Sequence, residues 1–381
     1  MHGFPLRPAW AEIDLRAVAH NVRQFRALIP AETKLMAIVK ANAYGHGAVP
    51  VAKAAVAAGA SWLGVGMLEE AVELRDYGLD VPILILGFTP ANYAPYLLEY
   101  NVTPSLFTQK EALAFSEAAL RAGRTMDVHV KVDTGMGRVG CFPAESAVDF
   151  IAAAAALPGL RVTGLYSHFA AADSSDLASA RRQLQCFLEL AARLEARGIR
   201  IPLRHIANSA GVINLPEAAL DMIRIGIGLY GLYPSAETRQ DVVQLQPVMS
   251  LKAKLVYVKD VPAGTGISYG STYVTQKPSR IATLNIGYGD GYNRRLSNRG
   301  QVVVRGRRAP VVGRICMDQT MICIDGIEEA RTGDTALLFG REKAAELHVD
   351  EVAGWLDTIN YEVVTAISHR VPRVYLGEDE N

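Results

Sequence analysis

Lys40 closes an apolar run, KLMAIVKA from Lys34, and is followed by NAYGHG. A lysine there reads first as a snorkelling or salt-bridged charge. The sharper reading is an amine with a pKa lowered by burial, able to form Schiff bases with carbonyl groups. Farther along, Ser209 follows Asn208 in ANSAG, and Gly226–Ile227 follow Arg224 in RIGIG. Small residues at such corners let backbone N–H groups close on an anion such as phosphate. Each segment alone is a weak signal. An imine-forming lysine and a phosphate cradle together fit one cofactor, pyridoxal phosphate, which also needs groups that tune its ring nitrogen and phenolic oxygen.

These residues have to be held in place, and the chain around them alternates. Short β-branched runs begin at Lys34, Ser61, Val81, Asn101, Met126, Arg161, Arg204 and Met222. Amphipathic stretches lie between them, such as KEALAFSEAALRAG from Lys110, PAESAVDFIAAAAAL from Pro143, and a long one from Ser175 that stops at Gly198. Strands apolar along their length belong to sheets buried on both faces. Eight of them, joined by helices, predict a closed β/α (TIM-like) barrel over residues 12–241, rather than an open doubly wound sheet. No GxGxxG follows the first strand, which removes the usual dinucleotide fingerprint. In such barrels the C-terminal strand ends carry function, which is where Lys40, Ser209 and Arg224 fall.

After Pro234 the texture changes to short strands with Gly-containing turns (LKAKLVYVKDV, SRIATLNIGYG, QVVVRG, TMICID, DTALLFG), which predicts an antiparallel β domain over 242–381. A helix from Val349 and a last strand, EVVTAISHRVPRVYL, complete it. The opening segment 1–11 fits either domain, with WAEIDL strand-like before a helix from Leu15 to Leu28.

The chain has 381 residues; 39 Lys+Arg balance 39 Asp+Glu, and half of the residues are apolar. Balanced charge gives no pull toward nucleic acid or anionic lipid, and the hydrophobic content excludes a disordered class. The longest apolar run, Ala54 to Leu68, is 15 residues, short of a membrane span. No secretory signal is visible, so a cytoplasmic protein is expected. Cys141, Cys186, Cys316 and Cys323 form no CxxC pair and no disulfide framework, and no metal site is expected.

Eight segments in order resemble the alanine racemase family: AIVKANAYGHG from Ala37, KVDTGMGRVG from Lys131, GLYSHFAAAD from Gly164, HIANSAG from His205, RIGIGLYGLYPS from Arg224, GISYGSTY from Gly266, GYGDGY from Gly287 and GRICMDQTM from Gly313. The resemblance covers almost the whole chain. It implies an enzyme that interconverts L- and D-alanine, with the D form feeding peptidoglycan, and pyridoxal phosphate held by Lys40 as an internal imine. Lys40 and Tyr269 would be the two bases. Arg224 would meet the pyridine nitrogen, and Arg138 the phenolic oxygen and the substrate carboxylate, steadied by a carbamylated Lys131. His168 would lie beside the ring and bond Tyr269. Tyr44, Asn208, Ser209, Gly226 and Ile227 would serve the cofactor, the Met317 backbone the substrate carboxylate with Asp318 nearby, and Asp173, Tyr288, Arg294 and Arg314 the entryway. The family builds each site across a head-to-tail homodimer.

Read singly, Tyr269 is a hairpin tyrosine, Asn208 and Asp133 are turn residues, Lys131 is a paired charge and His168 a satisfied core histidine. At one place the chain departs from the family pattern: Ile367–Ser368 is followed by His369, where the family carries a tyrosine that touches the phosphate. A roomier pocket and a broadened choice, alanine and serine, is the expectation there. A pyridoxal-phosphate decarboxylase is a second reading, opposed by Arg224 and RIGIG because those enzymes place an acid at the ring nitrogen. A non-catalytic cofactor-carrying barrel is a third, and it leaves everything after Val248 unexplained.

Overall fold

The computed structural model describes residues 7–143 and 145–377. The described chain divides into two compact units: one lies within 18–43 and 48–246, the other within 7–17, 44–47 and 247–377.

The first unit is the barrel. Its strands are β2 (Lys34–Ile38), β3 (Trp62–Val65), β4 (Ile83–Ile85), β5 (Ser105–Leu106), β6 (Met126–Lys131), β7 (Leu160–Tyr166), β8 (Leu203–His205) and β9 (Met222–Ile225). They form two parallel four-stranded sheets, β4-β3-β2-β9 and β5-β6-β7-β8. Two seams join the sheets into a ring. Ile85 N–H donates to Thr103 O and Thr103 N–H to Ile83 O on one side; Asp221 N–H reaches Arg204 O and Arg224 N–H reaches Ala207 O on the other. Most side chains on both faces of these strands are buried, which is why the runs carry Val, Ile and Leu without alternation.

The second unit is a nine-stranded sheet, mostly antiparallel. Its long strand β10 (Met249–Val261) pairs antiparallel with β1 (Ala9–Asp14), β13 (Ser279–Leu284) and β17 (Thr335–Glu342). β1 also lies parallel to β19 (Arg373–Leu376), so the first described strand belongs to this sheet. Alternation is clean on β1, where Ala9, Ala11 and Ile13 face inward and Glu12 pairs with Lys252 at 2.7 Å. A separate small hairpin, β11 (Gly266–Ile267) and β12 (Tyr273–Val274), carries Tyr269 at its turn.

Two expected strands come out shorter. The run from Met222 stops at Ile225 and continues as one 3-10 turn, Ile227–Tyr230. In EVVTAISHRVPRVYL only Arg373–Leu376 is a strand; Asn360–Thr365 is a helix. There Val363, Val364 and Ile367 are buried at helical spacing, so packing overrides their β preference. Among the described residues no helix is long and apolar enough to cross a membrane.

Candidate active site

Lys40 follows β2, whose end is tied by the Tyr230 hydroxyl donating to Ile38 O at 2.7 Å. Immediately after it Ala41, Asn42, Ala43 and Tyr44 all have φ of 52°, a left-handed turn. Non-glycine residues pay roughly 1–2 kcal/mol each for that conformation. Local bonds hold it: Ala43 N–H returns to Val39 O at 2.8 Å, Asn42 Oδ1 accepts from Ala48 N–H at 2.8 Å, and Ala41 N–H is taken by Glu70. Burial lowers the pKa of Lys40, and the charge of Arg138 lowers it further. The amine is thereby brought closer to its nucleophilic, proton-accepting form.

Arg224 stands on β9, next to β2 in the sheet, and is buried. Its NH1 donates to His205 Nδ1 at 2.8 Å; its NH2 reaches Ser167 O at 2.7 Å, Ile206 O at 3.1 Å and His168 Nδ1 at 3.2 Å. Burial lowers its pKa to about 10, so it stays a cation at neutral pH. A guanidinium only donates, which fixes its neighbours. His205 Nδ1 and His168 Nδ1 must accept, so each ring carries its proton on Nε2. His205 Nε2 then donates to His129 Nδ1 at 3.0 Å. Burial and the Arg224 charge hold all three histidines well below their usual range, His129 at about 3. Tyr166 stacks flat on His205 at 4.9 Å, and Gly164 leaves room for His129, whose ring would lie 2.3 Å from a Cβ there.

Lys131, at the end of β6, is buried with its Nζ 4.8 Å from the Tyr166 ring centre and no hydrogen-bond partner among the described residues. Burial, Arg224 and Arg138 drive its pKa well down. Arg138 lies on the following loop, which wraps round the Asp133 carboxylate: Gly135, Gly137 and Arg138 donate their amides to it at 3.0, 3.0 and 2.9 Å. Gln183 secures the loop after β7, accepting from Ala170 N–H and donating to His168 O and Thr134 Oγ1. Asp173, farther along that loop, accepts the Ser235 hydroxyl on its carbonyl at 2.5 Å.

At the other expected cradle, Ser209 Oγ accepts the amides of Gly226 at 3.0 Å and Gly228 at 3.3 Å. Both lone pairs are used, so the hydroxyl proton is left to donate elsewhere. The Gly226 amide is spent inside the protein, while that of Ile227 opens a one-turn helix that makes no internal use of it. Asn208 also serves structure: its Oδ1 caps the helix Ser209–Asn214 by accepting from Gly211 N–H at 2.9 Å.

In the β unit, Arg373 gathers Gly45 O, Ile367 O, Ser368 O and Val371 O, at 2.5–2.9 Å. That arginine brings the loop of Tyr44 to the turn bearing exposed His369. The Tyr44 ring lies 6.1 Å from that of Tyr361, and burial raises its pKa to about 12. Tyr269 is 68% exposed. Beside it the Ser268 hydroxyl donates to Arg314 O at 2.5 Å, joining the Tyr269 hairpin to the segment leading to Met317. Tyr288 and Gly289 donate to Cys316 O and Met317 O at 3.0 and 2.9 Å. Asp318 pairs with Arg370 at 2.6 Å, and buried Asp290 binds Arg7. Arg294 is exposed on a one-turn helix, and no hydrogen bond among the described residues draws its side chain into this group.

Sequence reading passed over His129, His205, Glu70, Gln183 and Arg373. The one available signal was His129 and Lys131 two residues apart on a strand, which puts both on one face.

The description "Alanine racemase, N-terminal domain" matches residues 13–234, and "Alanine racemase, C-terminal domain" matches 248–375. The chain is 51% identical over 370 residues to the alanine racemase of Desulfovibrio desulfuricans, covering 97% of this chain and 98% of that protein. It is 50% identical to that of Desulforamulus reducens, with 97% and 99% covered. Among solved structures, alanine racemase from Clostridium difficile 630 superposes with a TM-score of 0.94 at 37% identity, covering 98% of this chain and 97% of that one. The enzyme from D-cycloserine-producing Streptomyces lavendulae gives 0.93 at 43% identity, with 98% of each chain covered.

Proposed function

The chain belongs to the alanine racemase family, which are isomerases, and we propose that it interconverts L- and D-alanine with pyridoxal phosphate. The observation that carries this reading is a lowered-pKa lysine and an anchored arginine cation at the ends of adjacent barrel strands. The residues fit the cofactor. Lys40 would hold it, the Ser209 hydroxyl, the Ile227 amide and Tyr44 would take its phosphate, and Arg224 would donate to its ring nitrogen. When bound, the cofactor supplies a carbonyl that condenses with amines and an electron-withdrawing ring that makes an α-proton removable. Arg224 keeps its own protons at neutral pH, so a ring nitrogen held by it would stay unprotonated.

Racemisation takes a proton from one face of the α-carbon and returns one to the other, so two groups must face each other across it. Lys40 Nζ acts on one face and Tyr269 Oη on the other. With its proton on Nε2, neutral His168 is a donor and would hydrogen-bond the hydroxyl oxygen of the tyrosine it meets. Arg138 and the Met317 amide hold the substrate carboxylate. Tyr269 comes from a second copy of the chain in a head-to-tail homodimer; its exposure is consistent with that. The neutral amine of Lys131 attacks carbon dioxide, forming an N–C bond and releasing one proton, and the resulting carbamate offsets Arg138. Asp318, Asp173, Tyr288, Arg294 and Arg314 line the entry. Domain limits of 12–241 and 242–381 go with this reading, as does supply of D-alanine for peptidoglycan in the cytoplasm.

Optical rotation tests it directly. L-Alanine incubated with cofactor-loaded protein decays to zero rotation, whereas release of carbon dioxide would favour a decarboxylase. A broader choice is the second reading, favoured by His369 in the turn that Arg373 holds beside Tyr44. The serine-to-alanine ratio of kcat/KM falls in His369→Tyr; an equal ratio removes this second reading.

A further inference from the structure

The helix Leu68–Asp76 begins on Met67, which has no side-chain oxygen, and no side-chain cap forms there. A glutamate at the third helical position ordinarily turns back to the capping residue's amide, as Glu111 does to Thr108. Glu70 holds that position and does something else. Its Oε2 accepts Gly66 N–H at 2.6 Å, and its Oε1 crosses to Ala41 N–H at 2.6 Å. Both oxygens are spent on backbone beyond the ends of two paired strands, β2 and β3. Ala41 opens the left-handed turn and directly follows Lys40.

We propose that Glu70 is a positioning residue for Lys40: its carboxylate clamps the amide after the lysine to the corner after β3, so that the side chain leaves β2 in one direction. This rests on the reading of Lys40 as the cofactor-bearing lysine. The lysine stem lies against the clamped corner. A Cβ on Gly66 would come 3.3 Å from Glu70 Oε2 and 3.6 Å from Lys40 Cβ. The charge matters besides the grip. Burial and Arg138, on the loop after β6, disfavour the ammonium form of Lys40, and Glu70 is the acid that opposes them. The nearby His168 is neutral and supplies no counter-charge.

Glu70→Gln keeps the size, removes the charge and leaves a nitrogen that cannot accept. In the full chain freed of cofactor, the pH midpoint for acylation of Lys40, read by peptide mass spectrometry, falls by on the order of 1 unit. Hydrogen exchange at Ala41 and Gly66 quickens by about 10-fold or more. The exposed neighbour gives a control, Glu69→Gln, which leaves both unchanged. Glu70→Asp keeps the charge with its oxygens drawn back, so exchange quickens while the midpoint holds; it serves if the glutamine variant does not fold. An unchanged midpoint in Glu70→Gln, or unchanged exchange at Ala41 in Glu70→Asp, overturns the proposal. Borohydride trapping of the cofactor on wild-type Lys40 is separate: its failure removes the cofactor reading and leaves the clamp's own measurements standing.

Discussion

The barrel unit and the β unit carry their candidate groups in opposite ways. In the barrel, Arg224, Lys131, His129 and His205 are buried, and donor–acceptor logic fixes the histidine tautomers. In the β unit, Tyr269 and Met317 are 68% and 53% exposed, held by backbone bonds to neighbouring loops. A phenol proposed to work in a dry site gains nothing from exposure. The contrast fits the proposed homodimer with shared sites, in which one half is finished by folding and the other by association.

The largest effect is expected in the buried half. Lys40→Ala loses both the cofactor tether and one proton carrier, so racemisation measured by polarimetry falls by at least about 10⁴-fold. Tyr269→Phe falls by about 10²–10⁴-fold, and unevenly: deuterium entry at the α-carbon slows mainly from L-alanine. Equal residual exchange of both enantiomers, by proton NMR, would break the assignment of one base to each half. Gly228→Ala sharpens the contrast by crowding the proposed phosphate cup and the core beside it. Its Cβ would lie 2.5 Å from Phe25 and 3.2 Å from Ser209 Oγ, costing about 1–3 kcal/mol in urea unfolding.

A pH series reports on the interlocked histidines. Unfolded, His129 takes a proton near its ordinary 6.5; folded, burial keeps it neutral down to about 3. The unfolded state thus binds more protons between those values, and stability falls as pH drops through that window. The slope is about 1.4 kcal/mol per unit for that ring, and His129→Gln flattens it. The smallest effect belongs to the surface. Arg308→Ala breaks a pair with Glu351, 2.7 Å apart and 41% exposed on each side, and changes stability by under about 1 kcal/mol.

The barrel was legible because buried parallel strands write themselves as uninterrupted apolar runs, and Lys40 and Arg224 fall just where those runs end. The left-handed turn was not. Alanines at positions 41 and 43 carry no sign of positive φ, because the conformation is imposed by bonds to Glu70 and Val39. Glu70 was missed for a related reason: a glutamate in a helix's first turn is commonplace, and only Met67 at the cap hinted that its oxygens were needed elsewhere. His205 and His129 drew no reading of their own, because what orders them is an arginine that only the fold places beside them. In the last expected strand, β-branched residues were taken at face value where a helix buries them.

Mixing two crippled proteins asks the central question most directly. Lys40→Ala retains a sound phenol and Tyr269→Phe a sound barrel, so hybrids contain one complete site when the halves come from different copies. After subunits re-assort, activity climbs from near zero toward about a quarter of wild type. If mass spectrometry finds the hybrids and no activity returns, phenol and lysine do not meet across two chains.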